Sequence, residues 1–168
     1  LVNGAAINPK YQNIKKNENF LENTSIKKLK NEFEVGLFGS LNCTIEFGKY
    51  FASKKRGNII NISSDLGVIA PNQTIYNNSK IRKNVKPVSY SLIKHALIGL
   101  TKYIATYWAD RNIRCNALSP GGILNKQNKT FLNKVKKQIP LNRLAAHNEY
   151  KSTIQFMCSD ASSYMNGQ

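Results

Sequence analysis

Amphipathic helical patterns alternate with short strand patterns along this sequence, and that alternation restricts the fold more than any other feature. Apolar residues recur every three or four positions from Ile26 to Phe47, and the same spacing returns from Ile93 to Tyr107. Compact apolar runs lie at 58–62 and 113–118. Helices alternating with strands are typical of a parallel sheet covered on both faces. We therefore expect an α/β fold with a doubly wound parallel sheet.

The same patterns predict where the elements begin and end. The expected strands are 1–5, 58–62 and 113–118. The first expected helix begins at Thr24 or Ser25, both usable caps, bends near Gly36 and Gly39 and ends near residue 54; the others are 90–110, 130–138 and 149–158. The polar, Asn-rich stretch 10–22 is expected to be a surface loop, and 65–89 a long connection. Neither internal repeats nor a low-complexity linker is present, so residues 1–168 are expected to form one domain.

The charge of the chain argues against several classes of partner. Twenty-five Lys and Arg residues face nine Asp and Glu residues, which gives a net charge of +16. These cations are dispersed along the chain. They also lack the interleaved aromatic residues that are typical of proteins that bind single-stranded nucleic acid. Every apolar run is shorter than the ~18 residues of a membrane span. We expect a solvated basic surface and neither a nucleic-acid partner nor a membrane partner.

The cysteines indicate the compartment. Cys43, Cys115 and Cys158 are odd in number and widely spaced, with no CxxC pair and no His at a metal-ligand spacing. This usage fits a reduced, cytoplasmic protein without a metal site.

One group of residues has the composition of a catalytic site. Ser64 follows a predicted strand, and Tyr90 and Lys94 lie four residues apart on one face of a predicted helix. A nearby ammonium group would lower the pKa of a phenol, as a phenolic acid/base requires. A hydroxyl at the strand end would bind a substrate oxygen, and Ser63 remains an alternative to Ser64. Ligands bind at this edge of open α/β sheets.

The Tyr-x-x-x-Lys spacing occurs twice, and the flanking residues distinguish the copies. Tyr76 and Lys80 are followed by polar residues and Pro87, so no helix is expected to hold them in register. Tyr90 and Lys94 begin the most regular amphipathic pattern in the chain. We therefore favour the second copy.

Several ordered segments resemble the tyrosine-dependent short-chain dehydrogenase/reductase family. The matching segments are 1–5, 59–64, 90–101, 114–123 and 159–168. The resemblance implies a Rossmann-like fold, NAD or NADP as cofactor, and hydride transfer at a carbonyl or alcohol carbon of a small molecule. A sugar and a 3-oxoacyl group both remain open as substrates. Since the family's two long helices commonly form a dimer interface, it also implies a homodimer or homotetramer.

The resemblance also implies roles for individual residues. Tyr90 would be the acid/base, Lys94 would lower its pKa and bind the nicotinamide ribose, and Ser64 would orient the substrate oxygen. The remaining cofactor contacts would come from strand ends. They are Asn3 and Gly4 on the adenosine side, and Pro120, Gly121 and Ile123 beside the nicotinamide.

The sequence departs from the family pattern in three respects. The glycine-rich phosphate-binding turn and the last strand have no counterpart, so the chain is expected to be the central and C-terminal part of an oxidoreductase, inactive alone. The residue that selects NAD or NADP would lie in the missing half. Gly36 takes the place of a relay Asn, and residues 75–89 look like an insertion between Ser64 and Tyr90. The alternative is a noncatalytic remnant that keeps the fold.

Overall fold

A three-stranded parallel sheet forms the centre of the protein. The computed structural model describes residues 1–7, 18–77 and 84–168. The strands are β1 (Val2–Asn3), β2 (Gly57–Ile62) and β3 (Ile113–Leu118), with β2 in the middle. Val2 pairs with Ile60, and Gly57 pairs with Ile113. The parallel sheet expected from the alternating pattern is confirmed.

Five α-helices accompany the sheet in the described residues. They are α1 (Ile26–Phe33), α2 (Gly39–Lys54), α3 (Val88–Tyr107), α4 (Lys129–Val135) and α5 (Lys151–Cys158). One π-helical turn, Glu34–Phe38, joins α1 to α2. Within the part of the chain that the structure describes, no helix combines the length and apolar character needed to cross a membrane.

Local sequence signals explain most of the helix ends, and the differences have local causes. Ser25 caps α1 as expected, because its hydroxyl accepts a hydrogen bond from the Lys28 amide at 3.3 Å. The predicted bend near Gly36 is the π-helical turn. Helix α3 begins at Val88, two residues earlier than predicted, since Pro87 has a φ of −59° that leads directly into a helix. Residues 10–17 of the predicted loop 10–22 lie outside the described residues.

Both faces of the sheet are covered, and the alternation of side chains along β2 shows how. Ile59 joins a buried cluster with Ile104 and Ala105 of α3, and Phe51 of α2 packs against it. Asn58 points to the opposite face, where its amide donates to the Met157 carbonyl of α5 at 2.6 Å. Helices α2 and α3 therefore lie on one face and α5 on the other.

Buried amides and hydroxyls connect the sheet to the α2–α3 layer. The Asn3 amide donates to Thr44 Oγ1 at 3.0 Å and to Asn61 Oδ1 at 2.8 Å. The Asn61 amide donates in turn to Thr101 Oγ1 at 2.8 Å. All four residues are buried. Because a buried polar group without a partner is costly, this network fixes how the helices sit on the strands.

Candidate active site

The carboxyl end of β2 brings the predicted serines to the edge of the sheet. Ser63 and Ser64 follow the strand directly, and Asp65–Gly67 form a short 3₁₀ turn after them. The Ser63 amide donates to the Leu118 carbonyl at 2.7 Å, and the Asp65 amide donates to the Pro120 carbonyl at 3.0 Å. The loop after β3 is thereby held beside the serines, as expected for neighbouring parallel strands.

Lys94 ties the first part of α3 to this strand end. Its ammonium group donates to the Ile62 carbonyl at 2.7 Å, and its own backbone carbonyl accepts from the Ser63 hydroxyl at 2.7 Å. The side chain is buried, and burial lowers the pKa of Lys94. The ammonium group is therefore held at the end of β2 beside the helix that carries Tyr90.

Ser64, rather than Ser63, faces the tyrosine. The Ser63 hydroxyl is engaged by the Lys94 carbonyl. The Ser64 hydroxyl donates to Asp65 Oδ1 at 2.7 Å and lies close enough to the Tyr90 phenol to lower its pKa by hydrogen bonding. Of the two serines that the sequence left open, Ser64 is the one that the geometry pairs with the phenol.

The surroundings of Tyr90 raise its pKa above the ordinary value of a phenol. Burial is the largest cause, and the charge of Asp65 acts in the same direction, while the hydrogen bond with Ser64 lowers the pKa. The sequence led us to expect a lowering by Lys94. That direction is wrong for this structure, because burial outweighs the opposing effects and the Lys94 ammonium lies 5.8 Å from the ring centroid.

A second cation that sequence reasoning missed lies closer to the tyrosine. The Lys86 ammonium sits over the Tyr90 ring, 3.7 Å from its centroid. Burial lowers the pKa of Lys86 to about 8, with Asp65 raising it and Lys94 lowering it. Lys86 precedes Tyr90 by four residues, a spacing that would place both on one face of a helix. Pro87 lies between them, however, and a proline there indicates that the helix does not extend back to Lys86.

Residues 75–77 and 84–89 are the described parts of the segment expected to be an insertion. Asn77 is buried, and its amide donates to the Asn84 carbonyl at 2.9 Å, which joins the two described parts. Tyr76 is also buried, with its ring centroid 5.7 Å from that of Phe131. Lys80, the partner of Tyr76 in the other Tyr-x-x-x-Lys copy, lies outside the described residues.

Gly36 occupies a position where a larger side chain would collide with α3. A Cβ atom there would lie 2.9 Å from Cγ2 of Ile93. The Gly36 carbonyl accepts from the Ser40 hydroxyl at 3.0 Å within the helix. An Asn at this place would require Ile93 to move, so the chain has adapted to glycine here.

The predicted cofactor contacts divide into two groups. The Asn3 amide nitrogen is directed into the buried network, whereas Gly4 is exposed just beyond β1. After β3, the Gly121 amide donates to the Tyr150 hydroxyl at 3.0 Å, and Ile123 pairs with Ala145.

The strand ends present groups that fit the nicotinamide half of NAD(P). Half-buried Tyr90 and buried Lys94 carry a phenol and an ammonium group that could bind ribose hydroxyls, and Gly4 is exposed beyond β1. Across residues 1–7, 18–77 and 84–168, no three His, Cys, Asp or Glu side chains gather in a way that could hold a metal ion.

Comparison with known proteins places the chain in one family. A family model described as enoyl-(acyl carrier protein) reductase matches residues 1–168. The post-translational flagellin modification protein A of Campylobacter coli is 33% identical over 144 residues, which are 86% of this chain and 55% of that protein. The 3-oxoacyl-[acyl-carrier-protein] reductase FabG of Thermotoga maritima is 34% identical over 139 residues, with coverages of 80% and 51%.

Solved structures agree with this placement. A short chain dehydrogenase from Leptospira borgpetersenii, crystallised with NAD+, superposes with a TM-score of 0.81 at 26% identity, covering 99% of this chain and 59% of that one. The chain thus spans about half the length of the curated relatives it matches. With a Rossmann-like sheet, a family model matched from end to end and relatives of this kind, the chain belongs to the short-chain dehydrogenase/reductase family.

Proposed function

We propose that the protein containing this chain is an NAD(P)-dependent oxidoreductase that interconverts an alcohol and a carbonyl on a small molecule. One observation carries the proposal: the Ser64 hydroxyl, the Tyr90 phenol and the Lys94 ammonium lie together at the carboxyl edge of the sheet. The relatives support it, since their names and bound NAD+ describe reductases and dehydrogenases.

In this proposal Tyr90 moves the proton of the reaction. During oxidation its phenolate accepts the proton of the substrate hydroxyl, and during reduction its phenol returns a proton to the developing alkoxide. The Ser64 hydroxyl orients the same substrate oxygen by hydrogen bonding. When bound, NAD(P) supplies the hydride acceptor or donor. Lys94, whose ammonium group is held by the Ile62 carbonyl, would bind the ribose hydroxyls.

The other cofactor contacts follow from the strand ends. Gly4 beyond β1 would leave room for the adenosine side, with Asn3 contributing through its backbone. Pro120, Gly121 and Ile123 would border the nicotinamide, because the segment around Leu144 and Tyr150 holds their loop at the mouth of the site.

We further propose a cytoplasmic homodimer or homotetramer that binds neither nucleic acid nor membranes. Exposed aromatic side chains on α2 and α3 support self-association. A sugar and a 3-oxoacyl thioester are both retained as substrates. The second is supported by the name of the T. maritima relative.

The test is turnover by the full-length protein and by two tyrosine variants. NADH or NADPH consumption is followed by absorbance with 3-oxoacyl thioesters and keto sugars as substrates. Tyr90→Phe is expected to lose on the order of 10²–10⁴-fold in kcat, because the proton donor is gone. Tyr76→Phe, from the other Tyr-x-x-x-Lys copy, is expected to keep near wild-type turnover.

The control distinguishes the proposal from its alternative. Turnover that survives Tyr90→Phe would contradict the assignment of the acid/base. An intact, folded protein that binds neither nucleotide would favour the noncatalytic remnant instead.

A further inference from the structure

Lys86 occupies a defined place at the tyrosine. Its ammonium lies 3.7 Å from the Tyr90 ring centroid, compared with 5.8 Å for Lys94. The Lys94 ammonium is also engaged by the Ile62 carbonyl at 2.7 Å. A cation over the face of an aromatic ring is attracted by its π electrons, and the attraction grows when the ring carries the negative charge of a phenolate.

The inserted segment holds Lys86 in this position. Its backbone amide donates to Gln73 Oε1 at 2.8 Å, and Val85 and Pro87 on either side are buried. Two residues before Lys86, the backbone amide of Asn84 donates to Asn77 Oδ1 at 2.9 Å. The backbone of Lys86 is therefore held in place on both sides, and its long side chain extends from this fixed position to the Tyr90 ring.

The charges near Tyr90 act in opposite directions. Asp65, after β2, disfavours the phenolate. A nearby cation favours it, and the ammonium groups of Lys86 before α3 and Lys94 on α3 lie 3.7 and 5.8 Å from the ring centroid. Among the described residues these are the charged groups that the structure places beside the ring. The Lys94 ammonium group already donates to the Ile62 carbonyl and lies farther from the ring. Lys86 is therefore the cation best placed to counter the rise in the Tyr90 pKa that burial causes.

We propose that Lys86 is a positioning residue for the reaction, stabilising the phenolate of Tyr90 from the face of its ring. The inference rests on the proposed function, because it assigns a partner to the proposed acid/base. In this proposal the segment before α3 has a role in the reaction. Through Lys86 it places a second cation against the phenol ring, closer than Lys94.

The kinetic test compares Lys86→Met with Lys86→Arg and with Lys102→Met, which removes an exposed cation farther along α3. In the oxidation direction Lys86→Met is expected to lower kcat at pH 7 on the order of 10-fold, because an opposite charge within about 6 Å is lost. The loss is expected to shrink above pH 8, where Lys86 of the wild type itself loses its charge. Lys102→Met is expected to behave as wild type, and Lys86→Arg is expected to keep wild-type kcat at pH 7 because it retains the cation, which it also keeps above pH 8.

A second measurement reports on the proposal even if no substrate is turned over. The ¹³Cζ NMR signal of Tyr90, assigned with Tyr90→Phe, is followed against pH in the full-length protein. In the wild type we expect part of its change near pH 8, because Lys86 loses its charge there and its ammonium lies 3.7 Å from the centroid of the Tyr90 ring. In Lys86→Met we expect a single step at higher pH.

Two results would overturn the inference. One is a Tyr90 titration that is unchanged in Lys86→Met, whatever the turnover. The other is a Lys86→Met variant in which only KM rises while kcat and the pH profile stay constant, which would mean that Lys86 binds the substrate. Failure of Tyr90→Phe to reduce turnover would refute the proposed function and leave the NMR result to decide on Lys86.

Discussion

Tyr90 lies among groups whose charges decide how readily it gives up its proton. Burial and Asp65 keep the proton on the phenol, whereas Ser64 and the nearby cations favour its loss. The Asp65 carboxylate has a structural role as well, because Oδ1 accepts from the Ser64 hydroxyl and from the Leu66 amide, both at 2.7 Å. Replacing this carboxylate with the isosteric amide of Asn therefore removes the charge while an oxygen remains to accept the hydrogen bonds.

Asp65→Asn is expected to make Tyr90 a better base near neutral pH. The amide oxygen can still accept both hydrogen bonds, but the negative charge that raises the pKa of Tyr90 is removed. The lowered pKa should move the rising limb of the pH profile of oxidation to lower pH, with kcat/KM at pH 7 increasing about 3- to 10-fold. Asp110→Asn, in the exposed turn after α3, is the control, and a shift in the opposite direction would contradict the charge argument.

At the scale of the elements, the turn after β2 and the first part of α3 form one unit. Gly67 closes the Asp65–Gly67 turn so near to α3 that a Cβ atom would lie 2.8 Å from the Lys94 carbonyl oxygen and 2.4 Å from Ser63 Oγ. The same carbonyl accepts the Ser63 hydroxyl. The absence of a side chain at Gly67 thus allows the strand end and the helix to meet.

Gly67→Ala is expected to lower the free energy of unfolding by about 1–3 kcal/mol, because the methyl group collides with the Lys94 carbonyl oxygen as well as with Ser63 Oγ. Turnover should fall as well, since α3 must shift and Lys94 with it. The matched control is Gly99→Ala on the exposed side of α3, where nothing lies within 4 Å of the new Cβ. That change should stabilise the helix by about 0.5–1 kcal/mol. Urea denaturation of the full-length variants measures both, and equal effects would contradict the steric explanation.

On the scale of the whole molecule, the layer of α2 and α3 leaves large apolar side chains in contact with solvent. They include Phe47, Tyr50, Tyr103 and Tyr107, each more than half exposed. The rings of Tyr103 and Tyr107 stack with their centroids 5.6 Å apart. Apolar area of this kind on two neighbouring helices is typical of a surface that is covered in an oligomer.

Tyr103→Lys is therefore expected to convert the proposed oligomer to monomer, because a charge would be buried in the covered face. Light scattering after size-exclusion chromatography gives the mass. Leu141→Lys changes a side chain that is also highly exposed but lies outside these helices, and it should leave the mass unchanged. A wild-type protein that is monomeric at high concentration would refute the oligomer.

The sequence by itself determined the features that depend on local periodicity and order. Apolar spacing predicted β2 and β3 to within one residue and α3 to within three, Ser25 was one of the two expected caps of α1, and the order of motifs identified the family. Ser64, Tyr90 and Lys94 could be proposed because a strand end and a helical spacing of four are visible in one dimension.

Only the tertiary structure decided the electrostatics of the site. The pKa of Tyr90 depends on burial and on Asp65, 25 residues earlier in the chain, and neither is visible in the local pattern. Lys86 reaches the ring because Gln73 and buried neighbours fix its backbone. The Asn3 side chain is buried because its amide donates to Thr44 and Asn61. Periodicity predicts which face of an element is buried, but the partners that it meets there come from distant parts of the chain and are set by packing.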